Sequence, residues 1–194
     1  MSEILEWDKR LLLWLNGFHT VWLDTVMILI TKPGFSVPLY IVMAFLIFKK
    51  YKAEGWFILM GAGLAILLSD RLTSGLMKPY FARLRPSHEP GLEGLLHNVD
   101  GYKGGLYGFA SSHAANTFAV AMLLWLTFKK TYRWIGFIFL WAVIIAYTRI
   151  YLGVHYPGDV IVGALIGIGC GWLGFLSSQW LTTRWRRRVV IGRP

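Results

Sequence analysis

Residues 160–183, VIVGALIGIGCGWLGFLSSQWLTT, form a stretch of 24 residues without a charged side chain, and this stretch decides the fold. A membrane-spanning helix needs about 20 apolar residues, so the stretch is long enough to cross a bilayer. The rest of the chain has a similar character, because 56% of its 194 residues are hydrophobic and only 15% are charged. A soluble domain of this size would expose too much apolar surface to water, and we therefore predict an integral membrane protein.

The hydropathy pattern predicts about five transmembrane helices, at roughly 34–49, 54–77, 110–128, 132–150 and 157–180. The fold class is therefore an all-α, polytopic membrane helical bundle over residues 34–180. Residues 1–33 mix apolar and charged side chains as in an amphipathic helix in the membrane interface, and the apolar stretch 21–30 within them is too short to cross. The long connection 79–109 is expected to be a functional loop, and residues 181–194 form a basic tail.

The net charge of +10 is concentrated in a few places. Eleven of the 20 Lys and Arg residues lie in the segments 49–52, 129–133 and 184–193. Five spans would put these segments on one side, which the positive-inside rule assigns to the cytoplasm. We therefore expect a cytoplasmic C-terminus. We expect the protein in a bacterial inner membrane, with loop 79–109 facing the periplasm. This distribution explains the basicity by topology and argues against a nucleic-acid partner.

Three polar segments lie at the same predicted side of the membrane: KPYFARLRP (78–86), YGFASSHAAN (107–116) and TRIYLGVHYPGD (148–159). Ionisable side chains at the ends of spans are costly and by default indicate a functional site. Lys78, Arg85 and Arg149 supply positive charge, and the arginines offer a planar fork for phosphate oxygens.

The serines and histidines of these segments complement the cations. Ser111 and Ser112 are typical of a helix N-cap, where free backbone N–H groups can bind an anion. His155 and Asp159 are four residues apart, so the carboxylate can hold one ring nitrogen while the other stays free. Together with His113 they predict phosphoryl transfer, with one histidine as nucleophile and one as general acid.

At these residues the sequence resembles the type 2 phosphatidic-acid phosphatase superfamily, which shares its active site with vanadium haloperoxidases. The family's first motif, Lys, six residues, Arg-Pro, matches residues 78–86. Its second motif, Pro-Ser-Gly-His, corresponds to ASSH at 110–113, which has Ala and Ser in place of Pro and Gly. Its third motif, Ser-Arg, five residues, His, three residues, Asp, matches residues 148–159 with Thr in place of Ser.

The resemblance implies a lipid phosphatase that uses neither a metal nor another cofactor and does not require an oligomer. In it His155 would attack phosphorus while Asp159 holds its ring, and His113 would protonate the leaving oxygen and then activate water. The phosphoryl oxygens would be bound by Lys78, Arg85, Arg149, Ser111 and Ser112.

The sequence leaves the substrate open. Undecaprenyl diphosphate and phosphatidylglycerol phosphate are expected first, then phosphatidic acid and lipid A phosphate. The rival hypotheses are a soluble haloperoxidase, a non-catalytic lipid carrier or transporter, and a phosphotransferase between lipids. Asp70 and Arg71, inside the second predicted span, are expected to support the site. Gly163, Gly167 and Gly171 are spaced for close helix packing within the subunit.

Overall fold

A computed structural model describes residues 2–191, and within this range it contains helices and loops but no β-strand. The α-helices are α1 (Ser2–Asn16), α2 (Val21–Thr31), α3 (Val37–Tyr51), α4 (Gly55–Asp70), α5 (Lys78–Phe81), α6 (Ser112–Phe128), α7 (Ile138–Tyr151) and α8 (Pro157–Ile191). Of the predicted basic tail, Arg193 lies outside the described residues. Residues 192 and 194 lie outside them too, and residues 181–191 of the tail continue α8.

Several helical stretches have the length and hydropathy needed to cross a membrane. They are Pro33–Phe81, Arg133–Tyr151 and Pro157–Val189. Helices α1 and α2, which are bent by 114° relative to each other, make a fourth if the pair is counted as one broken span. Helix α6, with 17 residues, is apolar but shorter. Each of the five predicted spans overlaps one of α3, α4, α6, α7 and α8. The prediction of an all-α membrane bundle is therefore confirmed.

The stretch Pro33–Phe81 holds two helices that run in opposite directions. Helix α3 ends at Tyr51, and Lys52, with a φ of 50°, breaks the helical path before α4 begins. The Tyr51 hydroxyl donates to the carbonyl of Thr127 (2.7 Å), near the end of α6. In contrast, Ser69 near the end of α4 contacts Asn116 at the beginning of α6 (2.5 Å). Helix α3 is therefore parallel to α6, and α4 is antiparallel to it.

Helix α4 continues into α5 through a π-helical segment, Arg71–Met77. Such wider turns inside α-helices are frequent at functional sites. Here the segment directs the hydroxyl groups of Thr73 and Ser74 towards Ser112 at the start of α6.

Glycines hold α8 close to its neighbours. A Cβ added at Gly163, Gly167 or Gly171 would collide with a backbone carbonyl of α6 or of its cap, and Gly61 and Gly174 meet in the same way between α4 and α8. Small residues at such positions let two helix backbones approach and gain packing contacts in the membrane. The predicted role of the three α8 glycines in packing within the subunit is confirmed.

All three polar motif segments lie at one end of the bundle, which we call the site end. Helix α1 docks there through Leu12, which is buried with Ile150 and Tyr156. The opposite end carries the basic segments, and there Arg186 pairs with Glu54 (2.6 Å). The placement of residues 1–33 in a membrane interface remains a prediction.

Candidate active site

Lys78 ties the first motif segment to the second. Its ammonium group donates to the hydroxyl of Ser112 (2.6 Å) and to that of Ser74 (3.3 Å). The Ser74 hydroxyl in turn donates to Asp70 (3.0 Å). Lys78 is therefore held beside the N-terminus of α6 by contacts from two helices.

The N-terminus of α6 is capped as predicted and is joined to the third segment. The Ser111 side chain accepts a hydrogen bond from the N–H of Ala114 (3.5 Å). The N–H of Ser111 donates to the backbone carbonyl of Asp159 (2.9 Å). His113 follows in the first turn of α6. It lines a cavity of about 310 Å³ that lies between α2, α3, α6 and α7, together with Thr31, Tyr40, Asn116 and Ile145.

His155 and Asp159 form a buried pair at the start of α8. Nδ1 of His155 lies 3.3 Å from Oδ2 of Asp159, which also accepts from the N–H of Tyr156 (3.1 Å). The side chains of His155 and Asp159 are 1% and 0% exposed. The carboxylate thus holds Nδ1, and Nε2 takes no part in this contact.

Arg83 supports this pair from the other side. It donates from Nη1 to Oδ1 of Asp159 (2.8 Å) and from Nη2 to Oδ2 of Asp8 in α1 (2.8 Å). Its guanidinium carbon lies 3.9 Å from the ring centre of Tyr156, a cation–π contact.

Arg149 is a buried cation with an unused donor. It is 1% exposed and donates from Nη1 to the Thr31 hydroxyl and from Nη2 to the Tyr102 hydroxyl (3.1 Å). Its Nε is buried and has no hydrogen-bond partner among the described residues. A buried charged donor left unpaired is costly, so this atom fits a site that an anion completes.

The long loop closes the site through Arg85 and Gly108. Arg85 donates from Nε to the carbonyl of Tyr107 (3.1 Å), next to a bridge between Leu84 and Tyr107. A Cβ at Gly108 would come within 3.0 Å of Oδ2 of Asp159, 3.2 Å of Arg85 and 3.6 Å of Nδ1 of His155. Gly108 is therefore needed where the loop crosses the site.

Electrostatic interactions couple both histidines to the same positive charges. Arg149, His155 and Lys78 all act on His113. Burial lowers the pKa of His155 well below its usual value, and the charges of Arg85 and Arg149 lower it further. His155 is therefore neutral at physiological pH, which is the state in which an imidazole nitrogen has a free lone pair.

The lowered pKa of His155 predicts a pH-dependent stability. Below about pH 6.5 this histidine is protonated in the unfolded chain but not in the folded protein. The free energy of unfolding therefore falls by up to about 1.4 kcal/mol for each pH unit below that value. The stabilising contribution is complete above pH 6.5 and declines as the pH falls. We expect the thermal midpoint in detergent to fall more between pH 7.5 and 5.5 for the wild type than for His155→Gln. Equal falls would contradict the pKa shift.

The two supporting candidates from the sequence are placed differently. Asp70 reaches the site through Ser74 and acts electrostatically on Lys78. Arg71 is exposed, and its side chain makes no hydrogen bond or ion pair with the described residues. The structure therefore leaves Arg71 out of the cluster.

Sequence reasoning missed several contributors. Arg83 lies inside the first motif segment, but only its contacts show that it bridges two carboxylates. Thr31 and Tyr102 contact Arg149 from segments that carry no motif. Asp8 lies in the segment 1–33, for which the pattern predicted only an amphipathic helix. Its only distinguishing signal was its spacing of four residues from the apolar Leu12.

Comparison with known proteins agrees with the motifs. Residues 55–183 match the family described as the PAP2 superfamily. The chain belongs to the PAP2 superfamily. It is 38% identical to a lipid A 4'-phosphatase of Bacteroides thetaiotaomicron, over 91% of this chain and 79% of that protein. It is 34% identical to an undecaprenyl-diphosphatase of Sulfolobus acidocaldarius, over 81% and 70% of the respective chains.

A solved structure from another organism has a similar fold. Aquifex aeolicus LpxE superimposes with a TM-score of 0.65 at 31% identity, over 85% of this chain and 92% of that one. As a PAP2 superfamily member with these relatives, the chain is a multi-pass membrane protein and a lipid phosphatase.

Proposed function

We propose that the protein removes a phosphate monoester from a lipid A-type glycolipid through a phosphohistidine on His155. One observation carries this proposal. The neutral imidazole of His155, bound by Asp159, feels the charge of Arg149, a buried arginine whose Nε has no partner among the described residues. An enzyme that transfers a phosphoryl group needs a positioned nucleophile and fixed positive charge around the phosphoryl oxygens.

The first step forms the covalent intermediate. Nε2 of His155 attacks phosphorus, the P–O bond to the lipid breaks, and the leaving oxygen takes a proton from His113. Asp159 stabilises the positive charge that the His155 ring acquires. The cavity beside His113 supports this role, because it offers space for the leaving lipid next to the proton donor.

The second step releases phosphate. His113, now neutral, accepts a proton from a water molecule whose oxygen attacks phosphorus. The P–N bond breaks, and its electron pair returns to His155. Inorganic phosphate leaves, and both histidines are back in their starting states.

The positive charge for both steps comes from Lys78, Arg85 and Arg149, with the capped N-terminus of α6 beside them. Fixed donors of this kind stabilise charge on phosphoryl oxygens without reorganisation during the reaction. We therefore propose a metal-independent reaction. The positive-inside distribution supports a site that faces the periplasm and a cytoplasmic C-terminus.

The relatives support the choice of substrate. The lipid A 4'-phosphatase of Bacteroides thetaiotaomicron covers nearly the whole chain at 38% identity, which moves a lipid A phosphate ahead of the other candidates. Undecaprenyl diphosphate is the second candidate, because a relative named for that activity is 34% identical.

A panel of lipid phosphates tests this proposal. Purified protein in detergent is given lipid A bisphosphate, undecaprenyl diphosphate, phosphatidylglycerol phosphate or phosphatidic acid, with and without EDTA and a lipid alcohol acceptor. We expect the fastest phosphate release from lipid A, at an unchanged rate in EDTA and with strong inhibition by vanadate. Phosphate release abolished by EDTA would contradict the metal-independent mechanism. Phosphate appearing on the acceptor instead of in solution would indicate a phosphotransferase, and binding without turnover a carrier.

A further inference from the structure

Asp8 of α1 contacts the site although it lies outside the segment 55–183 that matches the family. Oδ2 of Asp8 accepts from Arg83 (2.8 Å), and Oδ1 accepts from the N–H of Gly158 at the start of α8 (2.7 Å). The same guanidinium donates to Oδ1 of Asp159 (2.8 Å). One arginine is thus shared between a carboxylate of α1 and the carboxylate that holds His155.

The position of α1 is fixed by contacts other than this ion pair. Asp8, Leu12 and Asn16 follow one another at four-residue spacing and so lie on one face of α1. Leu12 is 0% exposed. The Asn16 side chain donates to the carbonyl of Tyr151 (2.7 Å) and accepts from the N–H of His97 (2.8 Å). The docked helix therefore holds Asp8 at the site.

This ion pair differs from an ordinary surface pair. Surface ion pairs contribute little because both partners are hydrated and mobile. The Asp8 side chain is only 11% exposed, and the Arg83 guanidinium also lies over the ring of Tyr156. Glu6, two residues away on the same helix, is 60% exposed and, among the described residues, pairs only with Lys9. Of these two acidic residues, Asp8 alone is built into the site.

We propose that Asp8 is a positioning residue that acts on His155 through Arg83 and Asp159. While Asp8 holds one side of the guanidinium, Asp159 receives a single hydrogen bond from it and keeps Oδ2 for Nδ1 of His155. If Asp8 lost its charge, both Nη donors of Arg83 would bind Asp159. They would draw the negative charge of Asp159 away from the imidazole of His155. The ring becomes positive as the P–N bond forms, so a weaker partner slows that attack.

The inference rests on the proposed phosphohistidine mechanism, and a near-isosteric substitution tests it. Asp8→Asn is compared with Glu6→Gln, which removes the same charge from an exposed position of α1. Phosphate release is measured with lipid A bisphosphate in detergent micelles and with p-nitrophenyl phosphate. We expect Asp8→Asn to lower kcat about 10-fold on both substrates, with KM changed less than about two-fold, and Glu6→Gln to resemble the wild type.

The leaving group separates this role from that of His113. A defect in the attacking group persists with the good leaving group p-nitrophenolate, whereas a defect in His113→Asn is partly rescued by it, because that leaving group needs no proton. A loss in Asp8→Asn that appeared only with lipid A would overturn the proposal.

Two further variants guard against a purely structural explanation. Asp8→Glu keeps the charge and should recover most of the lost kcat, which a packing role would not predict. In an Arg83→Gln background Asp8→Asn should change kcat less than about two-fold, because the connecting residue is already absent. Full additivity of the two losses, or a loss in Asp8→Asn that matches its loss of folded protein, would refute the inference.

The same assay distinguishes a failure of the phosphohistidine mechanism from a failure of the proposed role of Asp8. Wild-type activity in His155→Asn would show that the phosphohistidine mechanism itself is wrong. An inactive His155→Asn beside a fully active Asp8→Asn would leave that mechanism standing and overturn only the role of Asp8.

Discussion

Replacing His155 with Asn should abolish phosphate release, with a loss of at least about 10⁴-fold in kcat. Asn cannot form the covalent bond to phosphorus, and removal of a nucleophile typically costs several orders of magnitude. Because the His155 ring is 1% exposed and makes its side-chain contact with Asp159, the smaller amide fits the same space without a clash. Activity is measured as phosphate released by protein that remains monodisperse in detergent.

The intermediate gives a second measurement of the same prediction. With substrate labelled in the phosphate, wild-type protein quenched during turnover should carry label that is stable in base and lost in acid, as expected of a phosphoramidate bond. His155→Asn should carry none. His19→Asn is the control, because His19 is exposed and stacks on His97, outside the cluster. Label retained in His155→Asn would place the nucleophile elsewhere.

The bundle and the motif residues could be predicted because each depends on local sequence. The uncharged stretch 160–183 sets a span, and the four-residue spacing of His155 and Asp159 sets their contact. The N-cap at Ser111 likewise depends on neighbouring residues alone. In each case the pattern and the structural consequence lie within a few residues of one another.

Contacts between distant segments could not be predicted in this way. Arg149 meets Thr31 and Tyr102, which are separated from it by 118 and 47 residues. The charged side chains of α1 suggested a solvated face, yet Asp8 points into the protein while Trp7, next to it, is 70% exposed. Amphipathic periodicity shows that a helix has two faces. Which face docks depends on the partner surface.

Arg71 shows the converse error. Its position in a span next to Asp70 suggested a role in the site, but the first turn of the π-helical segment Arg71–Met77 leaves it exposed. Burial and orientation within a helix change with each residue. The link of Asp70 to the site therefore did not predict one for its neighbour Arg71.

Replacing Arg149 should produce the second large effect, a fall in kcat/KM of about 10³-fold for Arg149→Ala and about 10²-fold for Arg149→Lys. Lysine keeps the charge but not the planar fork, and the fork supplies the Nε that is buried without a partner among the described residues. Removing one donor that stabilises transition-state charge commonly costs two to three orders of magnitude. Arg71→Ala removes an exposed arginine of the π-helical segment Arg71–Met77. It should leave kcat/KM within about two-fold of the wild-type value.

Ligand-dependent stability shows whether Arg149 acts on the phosphoryl group or only supports the fold. An anion that binds the folded site raises the thermal midpoint by mass action. Vanadate or inorganic phosphate should therefore stabilise the wild type and Arg71→Ala, but stabilise Arg149→Ala much less. In the absence of anion, Arg149→Ala should lose little stability, because it removes a buried cation that lies close to Lys78 and Arg85. The opposite result is an Arg149→Ala variant that is much less stable without anion but is stabilised by vanadate as much as the wild type. It would show that Arg149 serves the fold. The phosphoryl oxygens would then have to be held by the remaining cations.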